Sequence, residues 1–142
     1  MAKRRPTLLT VFVDSSVLFA AVCSVSGGSA KLFTLEKLEL VVSKVVLAEV
    51  ERNIRTKLSA FHLERFFMLV AKTKILNQEP DDEAILVAKK VIVEKDAVIL
   101  AESKKAKVDY LVTLDRKHFM TAAVSNFLVP QKVVTPKDLI ML

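Results

Sequence analysis

Four acidic residues in this chain of 142 residues lie beside apolar segments. Asp14 and Asp115 each follow a largely apolar run, and Glu49 and Asp96 each lie next to or within one. Carboxylates are seldom found so close to buried segments unless they are paired, cap a helix or hold a cation. The four residues are therefore candidates either for separate structural roles or for one shared site.

Each acid has a structural explanation when it is considered alone. Asp14 and Asp115 both precede helix-like segments and can be N-caps. Glu49 can pair with an arginine one or two turns later on its own helix, and Asp96 can stabilise the first turn of a helix through the helix dipole. The sequence leaves these alternatives open.

A shared site would have a different chemistry. Two carboxylates about 4 Å apart repel by about 4 kcal/mol at an effective dielectric constant of about 20, so a cluster requires protonation or a cation. Hard divalent cations prefer oxygen ligands. A convergent set of four carboxylates would therefore fit Mg²⁺ or Mn²⁺.

Strand-like and helical patterns alternate along the chain. Strands are predicted at 10–13, 38–42, 74–76, 110–113 and 132–134. Helices are predicted at 29–38 and 43–58, with Ser29 and Ser43 as caps, and at 58–73, 83–90 and 95–106. The first and fourth strands are almost entirely apolar, which indicates a sheet covered on both faces. This alternation predicts an α/β sandwich with a parallel sheet.

The predicted elements place the acids at one edge of the sheet. Functional groups in open parallel sheets collect beyond the carboxyl ends of the strands, where Asp14 and Asp115 fall. Glu49 borders the apolar stripe of its helix, and the spacing of Asp96 from later apolar residues turns it toward the domain body. We therefore expect two acids from strand ends and two from helices.

Length and composition narrow the class of protein. With 52% hydrophobic and 27% charged residues, the chain is expected to form a single domain at 10–142 after a basic, flexible tail at 1–9. The sequence predicts neither a membrane helix nor a cleaved leader, and Cys23 is a single cysteine that we expect to be buried. We therefore expect a cytoplasmic protein. The net charge of +6 favours nucleic acid as a partner over a membrane surface.

The segments around the four acids resemble the four acidic motifs of the PIN-domain ribonucleases, in the same order. The resemblance rests on VDSSVL at 13–18, LAEVER at 47–52, KDAVILA at 95–101 and LVTLDRKHF at 111–119. It implies a three-layer α/β/α sandwich around a central parallel sheet and a Mg²⁺ or Mn²⁺ site that hydrolyses single-stranded RNA. Many small members are VapC-type toxins, often homodimeric and held by an antitoxin protein, which implies the same partners here.

The resemblance also implies roles for individual residues. Asp14, Asp96 and Asp115 would hold one or two metal ions, and Glu49 would be a ligand directly or through water. The hydroxyl of Thr113 would orient a carboxylate or the attacking water. We therefore predict Asp14, Glu49, Asp96, Asp115 and Thr113 as the catalytic residues.

Three basic residues follow Asp115 directly in the sequence. Arg116, Lys117 and His118 lie next to the predicted site and are candidates for phosphate contacts. A phosphoaspartate enzyme of the haloacid-dehalogenase type would require an acid at position 16, where the chain has Ser16. A catalytically silent PIN-like domain that binds RNA or serves as a scaffold is the alternative that stays open.

Overall fold

The computed structural model describes residues 8–142, which form one five-stranded sheet flanked by helices. The strands are β1 Leu9–Val13, β2 Leu38–Val42, β3 Lys74–Ile75, β4 Tyr110–Val112 and β5 Lys132–Val134, in the order β3-β2-β1-β4-β5. Every neighbouring pair is parallel, as predicted. Residues 1–7 of the predicted tail lie outside the described residues, and Leu9 belongs to β1.

Helices cover both faces of the sheet. They are α1 Ser15–Cys23, α2 Gly28–Leu32, α3 Lys44–Lys57, α4 Ala60–Val70, α5 Asp82–Ala88, α6 Glu94–Ala106, α7 Arg116–Phe119, α8 Ala122–Leu128 and α9 Pro136–Ile140. Helices α1 to α4 and α9 contact one another, and α5 contacts α6. The chain crosses from β3 back to β4 in the opposite direction to its earlier crossovers, and right-handed connections therefore place α5 and α6 on the other face. The predicted three-layer α/β/α sandwich is confirmed.

The two central strands of the sheet, β1 and β4, are deeply buried. Val11, Phe12 and Val13 in β1 are fully buried, as are Leu111 and Val112 in β4. Consecutive side chains of a strand point to opposite faces, so their shared burial requires cover on both sides. The apolar composition of these strands correctly predicted that arrangement.

Two helix predictions were wrong in their bounds. The helix predicted at 29–38 is only α2, Gly28–Leu32, with Gly27 at its N-cap position. It cannot continue to Leu38 because that residue pairs with Leu9 in the parallel ladder of β2 with β1. The helix predicted at 58–73 is α4, Ala60–Val70, which begins after a break in the helical backbone that follows α3.

Cys23 is exposed, so the prediction of a buried thiol was also wrong. It is the last residue of α1, and the chain turns to extended backbone at Ser24. Its apolar sequence neighbours therefore do not determine its environment. Among residues 8–142, no helix is long and apolar enough to cross a bilayer.

Candidate metal centre

All four predicted acids line one cavity of about 240 Å³ at the carboxyl edge of the sheet. Asp14 directly follows β1, and Asp115 lies three residues beyond β4 at the start of α7. Glu49 projects from α3 in one helical layer, and Asp96 projects from the first turn of α6 in the other. The sheet and both helical layers therefore contribute to a common cavity.

Asp14 is the most deeply buried of these acids, with 4% of its surface exposed. Its Oδ2 accepts hydrogen bonds from the hydroxyls of Ser16 and Thr113, each at 2.7 Å. Within the described residues its side chain makes no capping hydrogen bond to α1, although it occupies the N-cap position. Burial raises the pKa of Asp14 despite these two hydrogen bonds, and the nearby Glu49 carboxylate raises it further. The carboxylate is thus held by hydroxyls in a place that disfavours its charge.

Thr113 is fully buried and joins two of the acids. In addition to donating to Asp14, its Oγ1 accepts a hydrogen bond from the backbone N–H of Asp115 at 3.0 Å. The Ser16 hydroxyl reinforces this connection, because it also accepts from the backbone N–H of Leu114 at 3.1 Å. The loop after β4 is therefore fastened to the end of β1 by side-chain hydroxyls.

Glu49 is held from the neighbouring helix α1. Its Oε2 accepts a hydrogen bond from the Ser15 hydroxyl at 2.8 Å. The alternative of a pair with an arginine of its own helix is not what the structure has, because Arg55 contacts Glu51 instead, at 3.4 Å. Adjacent serines at the start of α1 thus hold two different carboxylates, Ser15 holding Glu49 and Ser16 holding Asp14.

Asp96 has a buried oxygen that lacks a partner. Among the described residues, Oδ2 of Asp96 forms no hydrogen bond. Burial raises the pKa of Asp96; the neighbouring Lys95 ammonium opposes that effect, whereas Asp14 and Asp115 add to it by charge repulsion. A buried carboxylate oxygen without a donor is costly unless something outside the protein chain satisfies it.

Asp115 is bound by His118, one turn later. Its Oδ1 accepts from the backbone N–H of His118 at 3.0 Å, which is an N-cap contact, and its Oδ2 lies 2.8 Å from Nδ1 of the ring. Burial raises the pKa of Asp115, but the hydrogen bonds and charge of His118 outweigh it and hold the pKa below its usual value. The capping interpretation and the shared-site interpretation of Asp115 are therefore both supported by its contacts.

His118 belongs to the site more closely than its sequence position indicated. Single donor atoms of Asp96, Asp115 and His118 all lie within 4.8 Å of one another, a spacing that a metal ion can bridge. The sequence predicted His118 only as a candidate for a phosphate contact. Its i+3 spacing from Asp115 was the available signal, since residues three apart on a helix are neighbours.

The donor set fits a divalent cation. Carboxylate oxygens are the ligands that Mg²⁺ and Mn²⁺ prefer, and His118 would add one nitrogen to the set. A bound cation would reduce the mutual repulsion of Asp14, Asp96 and Asp115. It would also give the unpartnered oxygen of Asp96 a partner.

The basic residues that line the cavity differ from those predicted. The cavity wall includes Lys57 at the end of α3 and Lys95 beside Asp96, together with Asn53 of α3. Arg116 and Lys117, the predicted phosphate contacts, are not among its lining residues within the described part of the chain. Lys57 could not be connected with Asp14 from the sequence, because their proximity arises only when α3 packs against α1.

Comparison with known proteins identifies the type of domain. A family model described as PIN domain matches residues 11–124. Solved structures with the same fold include PAE2754 from Pyrobaculum aerophilum, at 16% identity and a TM-score of 0.65, with 96% of each chain covered. VapBC2 from Rickettsia felis, bound to a DNA fragment from its promoter, has 12% identity and a TM-score of 0.67, covering 89% of this chain and 98% of that one.

A third solved structure is that of a toxin with a described target. It is VapC20 of Mycobacterium tuberculosis, described as a toxin that cleaves the sarcin-ricin loop, at 15% identity and a TM-score of 0.52, with 75% of this chain and 91% of that chain covered. At these identities the solved structures establish the fold alone. No curated protein matches the chain in sequence.

Proposed function

The chain belongs to the PIN-domain family, and from that membership and its acidic cavity we propose that it is a metal-dependent ribonuclease acting on single-stranded RNA. The family supplies the reaction class, a hydrolysis of phosphodiester bonds. The cavity supplies side chains suited to it. The proposal places Asp14, Glu49, Asp96 and Asp115 around one or two Mg²⁺ or Mn²⁺ ions.

One observation carries the proposal. Four carboxylates from separate elements line the same cavity, and one of them has a buried oxygen without a partner among the described residues. Carboxylates with purely structural roles are normally satisfied by their own neighbours. The arrangement is costly for the protein alone and becomes favourable when a cation is bound.

The residues of the chain would divide the work as follows. Asp14, Asp96 and Asp115 would hold the metal, with Glu49 as a ligand directly or through water. A bound divalent ion lowers the pKa of water and neutralises charge on the phosphate oxygens. Thr113 and Ser16 fix the orientation of Asp14, and Ser15 does the same for Glu49.

His118 would act through Asp115. Its ring nitrogen and backbone N–H bind both oxygens of that carboxylate, so it fixes the rotamer before any metal arrives. His118 is itself a further candidate ligand. These fixed orientations reduce the reorganisation needed when RNA and metal enter the cavity.

We also propose that the protein is the toxin of a toxin–antitoxin pair, works in the cytoplasm and forms a homodimer. The toxin role is supported by its similarity to VapBC2 and VapC20.

A partner-binding surface is supported by three large apolar side chains of α4. Phe61, Met68 and Phe67 are exposed by 69%, 66% and 50%. Sedimentation of the purified chain should give twice the monomer mass; a monomer mass at all concentrations would remove the dimer from the proposal.

The nuclease proposal is tested by cleavage of a labelled single-stranded RNA pool. The wild type is compared with the double variant Asp14→Asn, Asp96→Asn, with Mg²⁺, with Mn²⁺ and with a chelator. A matched control is Glu36→Gln, Glu64→Gln, which changes the net charge equally at two exposed positions. We expect the wild type and the control to cleave only with metal, and the aspartate variant to leave the RNA intact.

Other results would favour a different function. If the inhibitor-free wild type leaves RNA intact with either metal but binds it as well as the aspartate variant does, the domain is a silent RNA-binding or scaffold protein. If cleavage persists in the chelator, or in the aspartate variant, the metal centre is not the source of activity.

A further inference from the structure

Two lysines and an asparagine line the acidic cavity without a role in holding its carboxylates. Lys57 and Asn53 reach it from α3, and Lys95 reaches it from the first turn of α6. The two lysines come from opposite helical layers and therefore stand on different walls. Among residues 8–142, neither lysine ammonium takes part in a salt bridge. Both charges are available to a molecule that enters the cavity.

The three residues of α3 that line the cavity lie in a row. Glu49, Asn53 and Lys57 are spaced by four residues, so they share one face of the helix. Each step advances about 6 Å along the axis, and Lys57 is therefore about 12 Å from Glu49 along the helix. The row begins at the carboxylates and ends at an exposed cation in the last turn of α3.

Lys95 occupies a different position, next to the carboxylates. It directly precedes Asp96, and both residues line the cavity. The cavity thus has one cation near its acidic centre and another at the far end of the α3 row.

A polyanion needs such cations to approach this site. The acidic cluster repels phosphate, and a cation held by these acids would offset that repulsion only close to them. Lysine acts on phosphate as a compact charge, without the fixed two-point geometry of arginine, and an asparagine amide can donate to a phosphate oxygen or a sugar hydroxyl. Such contacts position a strand without reading its bases.

We propose that Lys95 binds the phosphate next to the scissile one and that Asn53 and Lys57 bind the strand farther along, so that the α3 row is the path of single-stranded RNA out of the metal centre. This inference rests on the proposed function for its substrate, but not for its test. The path runs along α3 and away from Arg116 and Lys117. It predicts recognition of the phosphate backbone in any sequence.

The experiment measures binding separately from cleavage. Lys57→Glu and Lys95→Glu are compared with Lys72→Glu, a change at an exposed position after α4 that alters the net charge by the same amount. Fluorescence anisotropy of short labelled oligouridylate and oligoadenylate RNAs is recorded in chelator over a series of salt concentrations. Thermal unfolding of each variant verifies that it is folded.

We expect each site variant to bind both RNAs about tenfold more weakly than the Lys72→Glu control. For Lys57→Ala, which removes one charge, the slope of log affinity against log salt should be smaller by about 0.7 than for Lys72→Ala. In cleavage assays, Lys57→Ala should raise KM and leave kcat nearly unchanged, because its contact lies away from the reacting bond.

The outcomes separate this inference from the nuclease proposal. Loss of binding in the site variants, together with a wild type that never cleaves, would support the RNA path and reject the nuclease. Cleavage by the wild type, with site variants that bind RNA as the Lys72→Glu control does, would support the nuclease and overturn the path. Loss of affinity for only one of the two RNAs would also overturn it, because phosphate contacts do not depend on the base.

Discussion

The buried hydroxyl of Thr113 joins two acids of the proposed metal centre. It donates to Oδ2 of Asp14 at 2.7 Å and accepts from the backbone N–H of Asp115 at 3.0 Å. Thr113→Val removes the hydroxyl and keeps the shape of the side chain. A hydrogen bond to a charged group contributes about 1.5 to 3 kcal/mol, and leaving its partners unsatisfied adds to the cost. We expect the free energy of unfolding to fall by about 2 to 3 kcal/mol at neutral pH.

The effect of this substitution should depend on pH, with a predictable sign. The Thr113 hydrogen bond lowers the pKa of Asp14, although burial leaves that pKa above the usual value of 3.8. Its loss therefore raises the folded-state pKa of Asp14 further. The extra cost belongs to the ionised carboxylate, so it is present above the folded-state pKa and decreases as the pH falls through that pKa.

Urea unfolding of the metal-free protein at a series of pH values measures this effect. Thr113→Ser is the control, because it keeps the hydroxyl and loses one methyl group, at a cost of about 1 kcal/mol that should not vary with pH. If Thr113→Val were no less stable than Thr113→Ser at neutral pH, the hydroxyl would not stabilise the folded protein through these hydrogen bonds. A difference between the two variants that stayed constant down to pH values near 3.8 would refute the role given to Asp14.

Three further predictions concern other parts of the chain. Glu102 is buried, and its Oε1 lacks a hydrogen-bond partner among the described residues. Burial also raises the pKa of Glu102. Glu102→Met should therefore raise the free energy of unfolding by about 1 kcal/mol at neutral pH. That gain in stability should vanish as the pH falls through the raised folded-state pKa of Glu102. Identical urea unfolding curves for the wild type and the variant at neutral pH would contradict this prediction. Asp138 caps α9 reciprocally with Thr135, so Asp138→Ala should cost about 1 kcal/mol by thermal unfolding. The backbone and hydroxyl of Thr135 lower the pKa of Asp138. The stabilisation is therefore present above the usual aspartate pKa and is lost as the pH falls through the lowered pKa of the folded state. If the cost of Asp138→Ala is unchanged in acid, the cap does not stabilise α9 in this way. Cys23 is exposed and should react with a maleimide in the native protein nearly as fast as in urea, whereas strong protection would show that it is covered.

The sheet could be predicted from the sequence because its signals are local. The consecutive apolar residues of β1 and β4 are typical of buried parallel strands, and Ser43 caps α3 through the backbone N–H of Val46 as predicted. The end of α2 could not be predicted in the same way. Residues before Leu38 have helical propensity, but pairing of β2 with β1 determines where the helix must stop.

The acids of the site could also be located from the sequence, whereas their supporting contacts could not. Asp14 and Asp115 follow strands, and parallel strands bring their carboxyl ends together by topology alone. The contact of Ser15 with Glu49 and the entry of Lys57 into the cavity depend on how α1 packs against α3. Such contacts between helices leave no fixed spacing in the sequence.

The number of Mn²⁺ ions bound to the acidic cavity can be counted by electron paramagnetic resonance of the free ion. We expect one or two ions per chain for the wild type and for Glu36→Gln, Glu64→Gln. We expect Asp14→Asn, Asp96→Asn to lose that binding while the protein remains folded. Equal binding by the wild type and the folded aspartate variant, or no binding by the wild type, would contradict a metal centre built from these acids.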